Sequence, residues 1–437
     1  MNQSLPFIGS LATPEAAPGA TPEATPQATP EPTQDPTPAP IPTGSILFLS
    51  LAAFGSGASL RVNDALLPRL AAEFAVSLGQ ASQVISFFAI AYGVSQFLFG
   101  PLGDRLGKYR VIAWASLACA VTATLCGLAP SFDTLRIARV LAGATTAALI
   151  PLSMAWIGDV VPYEQRQPVL ARFLIGQIVG MSTGVWVGGF AADHLNWRIP
   201  YFAVGALFAV VSVSLLMLNR RLPDRARRMQ TGKGSALGRM LADFSHVLKR
   251  PWARLILMTV FMEGFFLYGP FAFIASHLHQ DFNMSLSKAG SLVMLFGFGG
   301  LLFALLARPL VSRLGELGLV RWGGGMLATA LIVVGLGPVW WWSIPSCLIA
   351  GTGFYMLHNT LQINATQMAP DRRGAAVSAF ASSFFLGQSA GVSVCALLVE
   401  RIGSAALLAI GGGGVALVAV TFARLLATHK IAISAAK

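Results

Sequence analysis

Charge is scarce in this sequence. Only 11% of its 437 residues are Asp, Glu, Lys or Arg and 55% are hydrophobic, whereas an ordinary soluble domain carries about 25% charged residues. That leaves too little polar material to cover a surface facing water, which argues against a soluble globular fold. The net charge of +12 does not point to nucleic acid either, because binders of that kind carry dense exposed basic patches and this chain has few charges of any kind. Cysteine is equally sparse. Cys119, Cys126, Cys347 and Cys395 all fall in apolar runs, none at metal-ligand spacing, so they read as small packing residues with neither a disulfide framework nor a metal site. A Gly-rich nucleotide loop ending in Lys-Ser or Lys-Thr and a His-Glu-x-x-His pair are also missing. Neither ATP coupling within the chain, nor enzyme chemistry, nor a cofactor is expected.

Long apolar runs are what the sequence does have. Charge-free stretches cover 74–103, 111–132, 140–158, 173–192, 199–219, 289–307, 322–370, 374–399 and 402–423. A helix needs roughly 20 apolar residues to cross about 30 Å of hydrocarbon. The 322–370 stretch is long enough for two, with a turn at Gly337, Pro338, Trp340, Trp341, Trp342 and Pro345. Two further spans are broken by isolated charges: 46–66 holds Arg61 and Asp64, and 254–276 holds Glu263. The expected fold class is an all-α integral membrane protein with twelve transmembrane helices.

Residues 1–43 differ from the rest. They repeat Thr-Pro and Ala-Pro steps, carry Glu15, Glu23, Glu31 and Asp35, and contain no Lys or Arg. Such a segment buries too little apolar surface to offset its ordering entropy, so a disordered tail is expected. Without the basic n-region of a signal peptide, the tail should stay attached and the first span should act as an uncleaved anchor.

If twelve spans alternate, 23 of the 30 Lys and Arg fall on the side shared by the connections after spans 2, 4, 6, 8 and 10 and the C-terminus. Five fall opposite: Arg69, Arg136, Arg198, Lys288 and Arg401. Arg61 and Arg139 are left inside spans. The positive-inside rule then makes both termini cytoplasmic in a multi-pass protein of the plasma membrane, in a bacterium its inner membrane.

The spans form two similar halves: a six-helix bundle over 44–219, a basic cytoplasmic linker over 220–253, a second bundle over 254–428 and a short cytoplasmic tail over 429–437. Gly100-Pro-Leu-Gly-Asp-Arg-Leu-Gly107 aligns with Arg308-Pro-Leu-Val-Ser-Arg-Leu-Gly315 at an offset of 208. The same offset maps Ala142-Gly143 onto Ala350-Gly351 and Pro162 onto Pro370. The Gly-Gln of Leu174-Ile-Gly-Gln-Ile-Val-Gly180 recurs in Phe385-Leu-Gly-Gln-Ser-Ala-Gly391 at an offset of 211, which implies a three-residue insertion. Two pseudo-symmetric six-helix bundles with a long link are the layout of a parallel-repeat secondary transporter, with its site between the halves near mid-membrane.

The connection after span 2 reads Gly100-Pro-Leu-Gly103-Asp104-Arg105-Leu-Gly107-Lys108-Tyr-Arg110. Here the chain resembles the major facilitator superfamily, whose signature between helices 2 and 3 has this Gly, Asp, Arg, Gly, Lys spacing. The resemblance covers about 45–428 and implies a major facilitator fold. The glycines permit a tight turn, and Asp104 can face a helix N-terminus or an Arg of another helix as a breakable latch. Gly100, Asp104, Arg105, Gly107 and Lys108 are therefore the candidate latch residues. In the second copy Arg308 and Ser312 replace Gly100 and Asp104, so the latch should work chiefly in the first half.

Arg139-Val-Leu-Ala-Gly143 in span 4 is similar to the superfamily's Arg-x-x-x-Gly element, which in proton-coupled exporters is linked to proton movement. An Arg inside a span costs at least about 2.5 kcal/mol at the helix centre and so faces the protein interior and a partner. It either takes part in coupling or only pairs with a carboxylate. In span 5, Gly180, Gly184, Gly188 and Gly189 resemble the antiporter motif of the drug:proton antiporter branch, with Val185 in place of its proline. The other reading of these glycines is a small-x-x-x-small face at a close helix crossing. Asn63-Asp64-x-x-x-Pro68 resembles an element of multidrug:proton antiporters in which the acid binds cations and protons. Arg61 and Asp64, three residues apart on one helix face, form an ion pair in the alternative, structural reading.

Glu263 lies nine residues past Arg254, about 13 Å into the bilayer at 1.5 Å per residue. Burial at that depth favours proton uptake, as a group protonated on one side and deprotonated on the other requires. The proton-coupling candidates are thus Asp64, Glu263, Arg61 and Arg139. Tyr92, Gln96, Gln177, Tyr268, His358, Asn359, Gln362 and Gln388 are the cavity candidates, each of which reads equally as a hydrogen bond between helices.

The expected function is proton-coupled export of a small amphipathic compound or metabolite by alternating access. Proton-linked uptake or sugar efflux on the same fold is the alternative, and a transporter-like sensor or lipid-handling protein the alternative of another class. The partners are a small-molecule substrate, protons and the lipid bilayer, with the chain a monomer and no nucleic acid bound.

Overall fold

In the computed structural model, residues 43–223 and 236–435 are described, so the expectations for residues 1–42 and for 224–235 of the linker lie outside the described residues. The regular elements among them are all helical. The first half holds α1 (Thr43–Arg61), α2 (Leu67–Phe74), α3 (Leu78–Ala81), α4 (Gln83–Leu106), α5 (Lys108–Leu128), α6 (Phe132–Thr146), α7 (Leu149–Val160), α8 (Tyr163–His194) and α9 (Ile199–Asn219). The second holds α10 (Ala236–Lys249), α11 (Pro251–Phe271), α12 (Ile274–Phe282), α13 (Leu286–Leu336), α14 (Ser343–Gln367) and α15 (Arg373–Ala435).

Among the described residues, nine helices are long and apolar enough to cross a membrane. Two of them are double. α13 breaks at Gly315 (φ 61°) and α15 at Gly403 (φ 78°), left-handed conformations that glycine adopts without a Cβ penalty. α14 carries Ser, Thr, Asn, Gln and His but no charge, and it is the remaining span. Twelve transmembrane helices result, as the sequence implies. The expected turn within 322–370 is present: α13 stops at Leu336, a 3-10 turn covers Trp340–Trp342, and α14 begins at Ser343. The linker, expected only as a loop, also holds α10.

The duplication reappears in the packing. A methyl group on Gly143 would overlap the carbonyl of Phe88, and one on Gly351 that of Phe296; both members of the pair are shifted by 208. Gly176 and Gly180 rest on the carbonyls of Ser50 and Phe54, while Gly387 and Gly391 rest on those of Phe261 and Phe265; all are shifted by 211. The 3-10 turn Pro370–Arg372 lies where the offset changes from 208 to 211. Close backbone contact through small residues is what drives helix association where water cannot, so the same crossings recur wherever the same glycines do.

The two bundles meet unevenly. The end carrying Gly107 and Gly315 is here termed the basic end, and the one carrying Gly403 the far end. From the far end inward, Gly79 rests on Ala396, Ser389 Oγ donates to the Ser86 carbonyl (2.9 Å), and Gly93 touches Phe385 and Ser382. On the other side Gly189 rests on Leu286, Gly290 on Val185 and Gly297 on Ser182. Toward the basic end, Cβ positions at Gly100 and Gly374 would meet nothing within 4 Å.

Candidate functional site

α1 ends at Arg61, the chain turns through 62–66, and Pro68 sits at the start of α2, a position where its missing N–H costs nothing. Asp64 therefore lies in a turn and does not share a helix face with Arg61 as expected. The turn still pairs them: Arg61 Nη1 lies 3.1 Å from Asp64 Oδ2, and both side chains are buried. The guanidinium then crosses to the other bundle, 3.8 Å from the ring centre of Tyr268 and 5.0 Å from that of Phe271. Arg61 is thus at once an ion-pair partner and a cation on an aromatic face.

Arg139 pairs with no carboxylate among the described residues. Its Nε donates to the Val84 carbonyl (3.0 Å) and Nη1 to that of Ser59 (3.1 Å), and the guanidinium stands 4.1 Å over the Phe88 ring. With the Asn63 amide turned so that its oxygen faces Arg139, Asn63 also accepts from Nε (3.3 Å) and Nη2 (3.2 Å) and donates to the Tyr201 hydroxyl. One cation thereby ties spans 1, 2 and 4 together, and Asn63 extends the tie to span 6.

Glu263 lies twelve residues into α11, about 18 Å along the helix axis, with 0% exposure. Its partner comes from α14: His358 Nδ1 is 2.8 Å from Glu263 Oε2. The imidazole is walled by Phe354, Phe380 and Phe384, with ring centres 4.9, 5.3 and 4.8 Å away. The second oxygens, Glu263 Oε1 and Asp64 Oδ1, make no hydrogen bond within the described residues. A buried carboxylate oxygen without a hydrogen-bond partner is costly.

Beside Arg61 lies a small cavity that both bundles line. Arg61, Ile178, Met181, Ser182 and Val185 face Phe271, Val293, Phe296, Gly297 and Tyr355 across it. Tyr268 is at its wall through Arg61. Tyr92 is buried against Phe385 of the other bundle, with ring centres 4.2 Å apart, and Gln96 is buried on the same helix. Gln388 is fully buried, and neither amide atom has a hydrogen-bond partner among the described residues. Gln177 is half-buried, and its carbonyl meets Gly57 of α1. Asn359 is exposed and Gln362 half-buried. Asn359 follows Tyr355 by one turn on the same helix face. Tyr355 and Tyr201 escape a search for mid-span polar motifs because nothing local marks them.

The connection after span 2 is only partly as expected. Gly107 has φ 87°, which the tight turn requires, and Gly103 packs on Leu152. Asp104 faces Lys108 at 3.8 Å and pairs with no Arg of another helix among the described residues. The short pair is Lys108 with Asp159 at the end of α7, 2.5 Å, an acid that the motif spacing does not reveal. A Cβ at Gly100 would meet nothing within 4 Å among the described residues, and Arg105 is exposed.

The glycines of span 5 are accounted for by packing. Gly176, Gly180 and Gly184 press on the carbonyls of Ser50, Phe54 and Ala58 along α1 and Gly188 on that of Val62 just beyond it, whereas Gly189 presses on Leu286 of the other bundle. Gly180-Met-Ser-Thr-Gly184 also has the Gly-x-Ser-x-Gly spacing of a hydrolase elbow. Ser182 nevertheless lies in mid-helix, its hydroxyl donating to the Ile178 carbonyl at 3.0 Å.

The family model of the Major Facilitator Superfamily matches residues 49–392. The uncharacterized MFS-type transporter YceJ of Bacillus subtilis is 25% identical over 361 residues, covering 81% of this chain and 88% of that protein. The multidrug export protein EmrB of Escherichia coli is 31% identical over 190 residues, 43% of this chain and 37% of its own. In fold, the chain is similar to the nucleoside transporter NupG (TM-score 0.68, 15% identity, 87% of this chain and 99% of that one). It is also similar to a bacterial homolog of the human lysosomal transporter Spinster in its inward-facing, unoccupied conformation (TM-score 0.64, 18% identity, 89% and 95%).

Proposed function

The chain belongs to the Major Facilitator Superfamily, and from that premise we propose that it exports a small amphipathic compound in exchange for protons. The observation that carries this reading is the pair of buried carboxylates on opposite bundles, each with one oxygen left without a partner. An unpartnered carboxylate oxygen is costly to keep dry, and a bound proton, or water reaching it as the bundles part, relieves that cost. Asp64 and Glu263 then bind and release protons as the cavity faces first one side and then the other, and Arg61 and His358 hold the carboxylates when they are charged. Arg139 keeps spans 1, 2 and 4 in register around Asp64.

An aromatic and aliphatic wall with one guanidinium suits an amphipathic ligand, because its apolar body is desolvated and a polar end finds a partner. The partial similarity to the multidrug export protein EmrB supports the outward direction. The excess of Lys and Arg at one end supports cytoplasmic termini and, with bacterial relatives, the inner membrane. The span 5 glycines pack against span 1 and give the direction of transport no structural signature, so proton-linked uptake is the second reading.

Proteoliposomes with an imposed pH gradient test both. Substrate and protons moving in opposite directions support export. Movement in the same direction supports uptake. Flux that ignores the gradient for amphipathic cations, anions and neutral compounds alike sinks both.

A further inference from the structure

At the far end, each bundle places a carboxylate on the first turn of a span of the other. Asp193, near the end of α8, accepts from the backbone N–H of Leu286 (3.2 Å) and of Ser287 (2.6 Å), and Ser287 Oγ donates to the Gly189 carbonyl (3.4 Å). Glu400 of span 11 accepts from the backbone N–H of Gly79 (3.3 Å). Gly79 and Ser287 are the same position of the duplicated unit, 208 residues apart. The receiving positions are thus equivalent, although the carboxylates are not: at the offset of 211 that relates spans 5 and 11, Asp193 corresponds to Ser404 and Glu400 to Gly189. One contact joins spans 5 and 8 and the other joins spans 11 and 2.

A carboxylate is well placed there. The first N–H groups of a helix have no partner within it and carry the positive end of its dipole. Hydrogen bonds to a charged acceptor are stronger than neutral ones. The backbone beneath each contact is dense, with Gly79 on Ala396 and Gly189 on Leu286. The bundles cannot part at this end without breaking both contacts.

We propose that Asp193 and Glu400 form a paired far-end gate that sets the equilibrium between the conformation closed at the far end and the one open there. The gate does not touch the cavity. It acts on the population of states and so on how often the site is presented at the far end.

The gate is tested with the purified full chain in nanodiscs, spin-labelled at introduced cysteines in the pairs 72/401 and 195/288, where all four positions are exposed; the four native cysteines are buried. Removing a hydrogen bond to a charged group should raise the ratio of far-end-open to far-end-closed about tenfold or more. Asp193→Ala and Glu400→Ala should each broaden both distance distributions toward longer values, and the double variant more than either. Asp193→Asn, which keeps an acceptor oxygen, should lie between wild type and Asp193→Ala. It carries the test if the double variant does not insert. Distributions identical to wild type in Asp193→Ala and Glu400→Ala, with normal insertion and monodispersity, overturn the gate, as does a change confined to thermal stability. The readout uses neither substrate nor a pH gradient, so its failure is separate from a failure of proton coupling.

Discussion

His358 Nδ1 sits 2.8 Å from Glu263 Oε2 across two spans separated by 95 residues in sequence. The buried acid is thereby held by an imidazole from another span. Glu263→Gln should abolish pH-gradient-driven transport while leaving exchange of labelled for unlabelled substrate within about threefold, because the amide keeps the shape and loses the proton. His358→Gln should keep gradient-driven transport but alter its dependence on pH. Wild-type gradient dependence in Glu263→Gln removes Glu263 from the coupling.

Arg61 is held by Asp64 on one side and the Tyr268 ring on the other. Arg61→Ala strands a buried carboxylate and should cost about 3–5 kcal/mol of stability. The double variant Arg61→Ala, Asp64→Ala should recover more than half of that, since no charge is left without a partner. Arg61→Lys should fall between, because a point charge replaces the planar guanidinium on the ring. Thermal unfolding in detergent gives the order, and a double variant worse than the single one contradicts the pairing.

Gly180 and Gly100 make a matched comparison inside one bundle. A methyl group at Gly180 overlaps the Phe54 carbonyl, whereas at Gly100 it meets open space. Gly180→Ala should destabilise by about 1–3 kcal/mol as spans 1 and 5 are forced apart. Gly100→Ala should be neutral or stabilising by up to about 1 kcal/mol through helix propensity. Equal melting temperatures for the two variants would refute the packing account of the span 5 glycines.

Lys108 and Asp159 form a partly exposed pair, which is worth no more than about 1 kcal/mol in stability. If the pair works as a latch, Asp159→Asn should leave the melting temperature within a few degrees of wild type and change the transport rate severalfold. A rate equal to wild type assigns the pair to local structure alone.

The charges out of place were legible before any coordinates: Arg61, Asp64, Arg139 and Glu263 all prove to be buried. Their partners were only partly so. Arg61 and Asp64 are three residues apart and were expected to meet, though on a helix face and not in a turn. Arg139 offered no local hint that its acceptors would be carbonyls 55 and 80 residues away. The latch motif predicted the turn at Gly107 but not Asp159. The glycines of span 5 were visible as a stripe, and only coordinates show that they face α1.

The sequence by itself determined the solvent, the number of spans and the duplication, because each follows from local composition or from a repeat that can be read along the chain. The tertiary structure decided which charge meets which partner, which end of the bundles is shut and where Asp193 and Glu400 bind. Those depend on how helices cross. A crossing brings together residues whose separation in sequence carries no trace of their distance in space.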